Sequence, residues 1–423
     1  MPVEADLVVR NAAELCTLTG DRTRGDEVLG AIALGAVASL KGRIVWTGLD
    51  SAVSSALTLA PGARTIDASG CTVTPGFVDC HTHVVFAGER ADEFALRCGG
   101  ASYLEIGERG GGIMSTVRAT RAASEEELVA LALPRLARLL ANGVTSAEAK
   151  SGYGLTLADE LKMLRAIRTL GKTQPIELAA TLLCAHAVPA EHRAARERYL
   201  ALCLDEILPA VAEAGLATFC DAFVEGGAFT LEEGRRILSK GRALGMTPRL
   251  HADQLSSMGA SALAAELKAA TADHLEAITP EGIAQLAAAG VTAVLAPTST
   301  LFLRQPGFAP GKALWDAGVN VALATNLNPG SAMSESTSLA MSLACLSNGL
   351  TPAQALHGFT KGGAIALGIS DRVGELSVGR QMDAVIHSCS SHRHLPYHLA
   401  ISHVRTVLKR GEIVHQASLQ PCG

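Results

Sequence analysis

The residues His81-Thr82-His83 carry the first chemical signal in this chain. Side chains alternate along a strand with period two, so an HxH pair sends both imidazoles to one face and Thr82 to the other. Two imidazoles so placed can grip one metal ion, and His-rich sites with one or two further donors suit zinc or iron. Taken alone, the motif fits ordinary surface or core histidines equally well. Its weight rises because other reactive side chains fall at comparable places. His251 and His274 end two later apolar runs, Asn326 follows a third directly, and Lys150 with Tyr153, His186, and Glu225 follow three more. A metal held by neutral imidazoles with one open position brings the pKa of bound water toward ~7 and polarises a carbonyl. Such a site also needs a base for the water proton and an acid for the leaving nitrogen.

The elements that must position these groups are legible in the middle of the chain. Eight apolar runs of strand length occur at 73–80, 143–149, 176–183, 217–223, 246–251, 270–274, 291–297 and 320–325, with longer amphipathic stretches between them. This alternation predicts a (β/α)8 TIM-like barrel, whose active sites sit at the C-terminal ends of the strands. Ser124 with Glu127 reads as a capping box opening one helix, which Asn142-Gly143 closes. The long interval 81–142 predicts an elaborated loop with at least one extra helix. A doubly wound sheet is the competing arrangement. No GxGxxG follows a first strand, and Gly110–Gly112 follows no strand at all, which disfavours it. The first seventy residues and the C-terminus read as short strands without a convincing helix. They predict a small β-sandwich domain built from 1–72 plus 372–423, around a barrel of 73–371.

Composition bounds the rest. With 48% hydrophobic and 18% charged residues among 423, the chain has a core to bury and is not disordered. A net charge of −5 gives no reason to expect nucleic acid or an anionic membrane as partner. No apolar run reaches the ~18 residues of a spanning helix, and the acidic start MPVEADLVVRN is unlike a signal peptide. A cytoplasmic protein is expected. Ten cysteines without a CxxC pair read as buried thiols.

PGFVDCHTH resembles the first-strand signature of the amidohydrolase superfamily. Within it, HTHVVFAGERADEF, the GGGI–STVRATR stretch, EAKSGYGL, AHAVP, FCDAFVE, HADQLSSMGA, ADHLE, ATNLNPGS and LPYH resemble the enzymes that open the imidazolone ring in histidine degradation. The resemblance spans nearly the whole chain. It implies metal ligands His81, His83 and His251, with Asn326 as the fourth, and His274 holding or activating the metal-bound water. It also implies substrate contacts from Arg90, Tyr103, Tyr153 and His186. Gln254 would face the imidazolone ring, and Asn328, Gly330 and Ser331 would line the product-side loop. A propionate carboxylate suits a planar guanidinium such as that of Arg90. Binuclear members carry a strand-4 lysine, absent from ATFCDAFVE, so a single metal ion, zinc or iron, is expected. The implied reaction is hydrolysis of the cyclic amide of 4-imidazolone-5-propanoate to N-formimidoyl-L-glutamate. The substrate is a small molecule and the expected assembly is a homodimer.

One position departs from the pattern. The family has aspartate where this chain has Asn326, and asparagine neither takes a proton near neutral pH nor brings charge. Weak turnover with intact metal and substrate binding is expected. This is either a substitution that slows catalysis or a natural variant in which His274 carries the proton alone. A related deaminase is the first rival, disfavoured because Gln254 stands where such enzymes keep a glutamate. A catalytically weak relative is the second. Several groups are expected to be structural: Lys150 in the surroundings of the site, Cys80 and Cys184 as buried thiols, His192, His357 and His415 as ordinary histidines. Asp253 and Asp273 are expected to orient site groups, and Asp79 either to do so or to be structural. His387, His392, His394, His398 and His403 are expected in solvated loops rather than in a metal tract.

Overall fold

A computed structural model describes residues 2–100 and 111–417. Tyr103 and Gly110 lie outside the described residues. The terminal strands are β1 (Val3–Cys16), β2 (Ala31–Leu40), β3 (Arg43–Leu49), β4 (Leu57–Asp67) and β5 (Thr72–Pro75). The central ones are β6 (Phe77–Asp79), β7 (Val144–Lys150), β8 (Glu177–Ala185), β9 (Phe219–Val224), β10 (Thr247–Ala252), β11 (Thr271–His274), β12 (Thr292–Leu295) and β13 (Val321–Leu323). The chain closes with β14 (Ala384–His387), β15 (Val404–Lys409) and β16 (Glu412–Gln416).

β6 to β13 pair in sequence order, each parallel to the next. Beyond the strand ends, Asn326 N donates to His81 O at 3.1 Å and His83 N to Leu327 O at 2.9 Å. Asp79 joins the same seam, accepting from Thr325 N at 3.1 Å and from Thr325 Oγ1 at 2.6 Å. Two backbone bonds and one carboxylate therefore bring the first and last strands of the barrel together, and Asp79 is structural. The interval before β7 holds the helices Ala91–Cys98, Ile113–Ala122 and Glu125–Ala141. The last begins with the expected Ser124–Glu127 capping box and ends at Asn142, and Gly143 follows with φ 90°.

The terminal sheet runs β16-β15-β14-β5-β1-β2-β3, with β4 also on β1. It is mixed, because β1 pairs in parallel with both β4 and β5. The sheet folds over its own core: Leu7, Val9, Val37 and Ile44 pack with Val73, Ala384, Ile386 and Leu408. Three sequence expectations need correction. The run 73–80 is two strands, not one: β5 belongs to the terminal sheet and β6 to the barrel. Between them a side chain at Gly76 would collide with Thr145. The N-terminal region holds short helical turns at Gly25–Leu29, Asp50–Ala52 and Val53–Ala56. His387 and His392 are buried rather than solvated: His387 pairs with Thr74 Oγ1 at 3.0 Å and His392 Nδ1 with Glu14 at 2.9 Å. Among the described cysteines seven are buried, including Cys80 and Cys184, while Cys98 is exposed. No helix among the described residues is long and apolar enough to cross a membrane.

Candidate active site

The C-terminal ends of the barrel strands bring the histidines together. His81 follows β6, His251 lies in β10 and His274 ends β11, and donor atoms of these three lie within 4.8 Å of one another. Ring centroids are 4.6 Å apart for His81–His251 and 5.3 Å for both His81–His274 and His251–His274. His83 stands one step outward, 5.4 Å from His81 and 5.6 Å from His251, and stacks on His186 at 5.1 Å. His81 Nε2, His83 Nδ1, His274 Nδ1 and Asn326 Oδ1 are buried without a hydrogen-bond partner. Unpaired buried polar atoms are costly, and the converging donor atoms of His81, His251 and His274 fit a metal ion.

The electrostatics agree with that fit. His81 Nδ1 meets Asp273 Oδ2 at 2.6 Å, and His251 Nδ1 lies 3.0 Å from Asp221 Oδ2. A carboxylate on one ring nitrogen fixes the tautomer that leaves the other free as a donor to metal. Burial pushes His81 and His83 well below the ordinary imidazole range and brings His274 and His186 down to about 3. Burial alone would raise Asp273, but Arg249 and Lys150 beside it hold its carboxyl below the usual value. Neutral imidazoles over ionised carboxylates are the protonation states that metal binding requires. Backbone geometry is unusual here too: His274 has φ 81°, Leu275 φ 71° and Asn326 φ 54°. Left-handed conformations at non-glycine residues recur where a site dictates the backbone.

Beneath the imidazoles lies a buried ionic cluster. Lys150 Nζ reaches Asp221 at 2.7 Å, Glu148 at 2.9 Å and Asp273 at 3.8 Å. Arg249 reaches Glu148 at 3.0 Å and Asp273 at 3.4 Å. Lys150 and Asp273 stand in the surroundings of the site as the sequence suggested, whereas Arg249, Asp221 and Glu148 were missed. Their signal was charge inside barrel strands: Arg249 shares the face of His251, two residues on, and Glu148 that of Lys150. Asp253 does something else, accepting the amides of Gly259, Ala260 and Ser261 at the start of the helix Ala260–Glu266. Glu276 also escaped the sequence reading. It is buried, accepts from Thr300 at 2.7 Å and lies 4.0 Å from His274 Nδ1, and burial pushes its carboxyl up to about 7.

Arg90 stands at the start of the helix Ala91–Cys98 and pairs through Nε with Glu93 at 2.8 Å. Its Nη1 packs so closely on Gly330 that a side chain there would collide with it. Arg90 and the 328–331 loop thus meet. Asn328 Oδ1 accepts from Gly330 N and Ser331 N, both at 2.8 Å, which folds that loop. A cavity of about 200 Å³ beside Arg90 is lined by Phe94, Phe302, Pro329 and Met333. Tyr153 is buried, 5.8 Å from His83 and 5.3 Å from His186 between ring centroids. Gln254 is buried beyond His251, where Glu225 holds the following amides of Leu255 and Ser256 at 2.8 and 3.2 Å.

Residues 72–415 match the amidohydrolase family. The chain belongs to that family. Within it, the chain is 60% identical to an imidazolonepropionase of Myxococcus xanthus over 99% of both chains. It is 47% identical to one of Symbiobacterium thermophilum over 97% of both. Among solved amidohydrolase folds, 5-methylcytosine deaminase from Klebsiella pneumoniae superposes with a TM-score of 0.75 at 16% identity, covering 98% of each chain. An adenosine deaminase from Xanthomonas campestris with bound zinc superposes at 0.72 and 20% identity, covering 98% of this chain and 93% of that one. At such identities the deaminases speak for the amidohydrolase fold alone. The barrel with its sheet from both termini is that fold.

Proposed function

We propose that this chain hydrolyses 4-imidazolone-5-propanoate to N-formimidoyl-L-glutamate in histidine degradation. The observation that carries the reading is the buried His81–His251–His274 group at the same barrel end as the Arg90 guanidinium. Identities of 60% and 47% to imidazolonepropionases over nearly the full length support it, and no feature of the described residues favours deamination.

His81, His83 and His251, with Asn326 Oδ1 as fourth donor, would hold one zinc or iron ion. His274 is close enough to His81 and His251 to hold the water or to join the ligand set. When bound, the ion would make hydroxide available near neutral pH and polarise the substrate carbonyl. Arg90 binds the propionate carboxylate, which orients the ring. Tyr153 and His186 contact the substrate, Gln254 faces the imidazolone, and Gly330 and Ser331, with Asn328 shaping their loop, line the product side. Tyr103 belongs to the same substrate set by resemblance. The water oxygen joins the ring carbonyl carbon, the bond from that carbon to the ring nitrogen breaks, and the nitrogen takes a proton. His274 moves the proton, because the amide of Asn326 has no basic site for it. A homodimer, which rests on the family resemblance, and a cytoplasmic location, which rests on the acidic start and on cysteines without a CxxC pair, complete the proposal.

The test is loss of imidazolone absorbance with this chain and its Asn326→Asp variant side by side. A carboxylate at 326 is expected to raise kcat by roughly 10²-fold or more, the usual worth of a positioned acid–base group. Equal rates would show that proton transfer does not use a carboxylate at position 326 and would leave it with His274 alone. No loss with either form, with ammonia released from a cyclic amidine, would favour a deaminase.

A further inference from the structure

The loop after β7, Ser151 to Leu155, carries Tyr153 and is held by groups the catalytic reading does not use. Glu160, in the helix Leu157–Thr173, is fully buried. Its Oε1 accepts from Gly154 N at 2.9 Å and Leu155 N at 2.7 Å, and its Oε2 from Gly152 N at 3.1 Å. On the loop's carbonyls, Arg121 donates through Nε to Gly154 O at 2.7 Å and through Nη2 to Leu155 O at 3.4 Å. Arg121 is itself tethered to Glu191 at 2.7 Å. Ser151 is tied to β8, donating to Thr181 O and accepting from Leu183 N, both at 3.0 Å, and a further contact reaches the site: Gly152 O lies 3.0 Å from Nδ1 of His186. With a carbonyl as partner, Nδ1 of His186 must be the donor, which leaves Nε2 as an acceptor.

The loop needs this grip because its backbone is not self-supporting. Gly152 has φ 103° and Leu155 φ 56°, and a side chain at Gly154 would come within 2.6 Å of Glu160 N. A left-handed leucine is disfavoured unless its surroundings enforce it. The backbone conformation of Gly152 therefore sets two things together, the position of Tyr153 and the tautomer of His186.

We propose that Glu160 and Arg121 are positioning residues for substrate binding, acting through the 151–155 loop on Tyr153 and His186. This rests on the reading of those two side chains as substrate contacts. Glu160→Gln is nearly isosteric. An amide oriented to keep accepting from Gly154 and Leu155 turns its NH2 group toward Gly152 N–H and so breaks the bond to Gly152, the residue whose carbonyl faces His186. Arg121→Gln removes the carbonyl contacts from a half-buried surface position and serves as a second variant, should the first not fold.

The experiment measures binding of N-formimidoyl-L-glutamate to the metal-loaded protein by calorimetry, together with KM, kcat and metal content. Tyr153→Phe is the reference. We expect Glu160→Gln and Arg121→Gln each to weaken product binding and raise KM by about tenfold, with kcat and metal content nearly unchanged. Weaker binding in Tyr153→Phe but not in the other two would overturn the proposal and leave the substrate reading intact. Unchanged binding in all three would overturn the substrate reading, and the proposal with it. Loss of metal in parallel with loss of binding would mark the loop as purely structural and also overturn the proposal.

Discussion

Asp273 is asked to do two things with one carboxylate: it accepts from His81 Nδ1 at 2.6 Å and faces Arg249 at 3.4 Å. The first contact aims the free Nε2 of His81, and the second keeps the carboxylate ionised. An amide in its place can still accept a hydrogen bond but loses the charge that makes His81 a good donor to metal. Asp273→Asn is therefore expected to weaken metal binding by ~10–100-fold, the usual effect of losing such an outer partner. Competition with a chromogenic chelator measures this directly, and an unchanged dissociation constant would show that His81 is oriented by something else. Asn326 illustrates the opposite case, in which chemistry and backbone diverge. Asparagine tolerates its φ of 54° as readily as aspartate does. The fold is therefore indifferent to a substitution that catalysis is expected to feel.

At the scale of elements, the crossing from β5 to β6 rests on a single residue. Pro75 ends a strand of the terminal sheet and Phe77 begins the first strand of the barrel, so Gly76 alone carries the chain between two sheets. Its missing side chain leaves room for Thr145 of β7. Any Cβ there must push Thr145 out of the barrel wall or pull β6 away from it. Gly76→Ala is expected to destabilise by roughly 1–3 kcal/mol, as overpacking does in tightly packed interiors. Urea denaturation reads this as a lower midpoint at unchanged slope. Because β6 leads within two residues to His81, the same variant is expected to weaken metal binding if the strand moves rather than the threonine.

For the molecule as a whole, the terminal sheet and the barrel are held against each other by buried contacts that include a titratable group. His387 of β14 stacks on Phe77 of β6 with centroids 5.5 Å apart. On the barrel's flank His357 packs edge-on against Trp315 at 5.1 Å. Burial lowers both imidazoles to about 3. In the unfolded chain each takes a proton below about 6.5, whereas in the folded protein neither does until about 3. Their contribution is thus complete above pH ~6.5 and is lost as pH falls from there toward 3. The melting temperature is expected to drop across that window, to which the buried histidines of the site also contribute, and His357→Gln, which removes one of these protons, to make the drop shallower. An identical pH profile for the variant would show that His357 already titrates normally in the fold.

The amino-acid sequence by itself determined the barrel, the approximate strands and the strand-end histidines. Those signals are local: alternation with period two, amphipathic helices, and side chains one or two residues past a strand. Resemblance then assigned roles to Arg90, Tyr153, His186 and Gln254, and the fold brings His83, Tyr153 and His186 into mutual ring contact. Only the tertiary structure decided what supports these groups. Lys150 meets Asp221 across 71 residues of chain, and His81 meets Asp273 across 192. Pairings at such separation leave no local pattern, since each partner reads as one more charged residue in a strand. The split of 73–80 into two strands was hidden for the same reason. A run of apolar residues is continuous in sequence, and whether it stays in one sheet is settled only by what packs against its glycine.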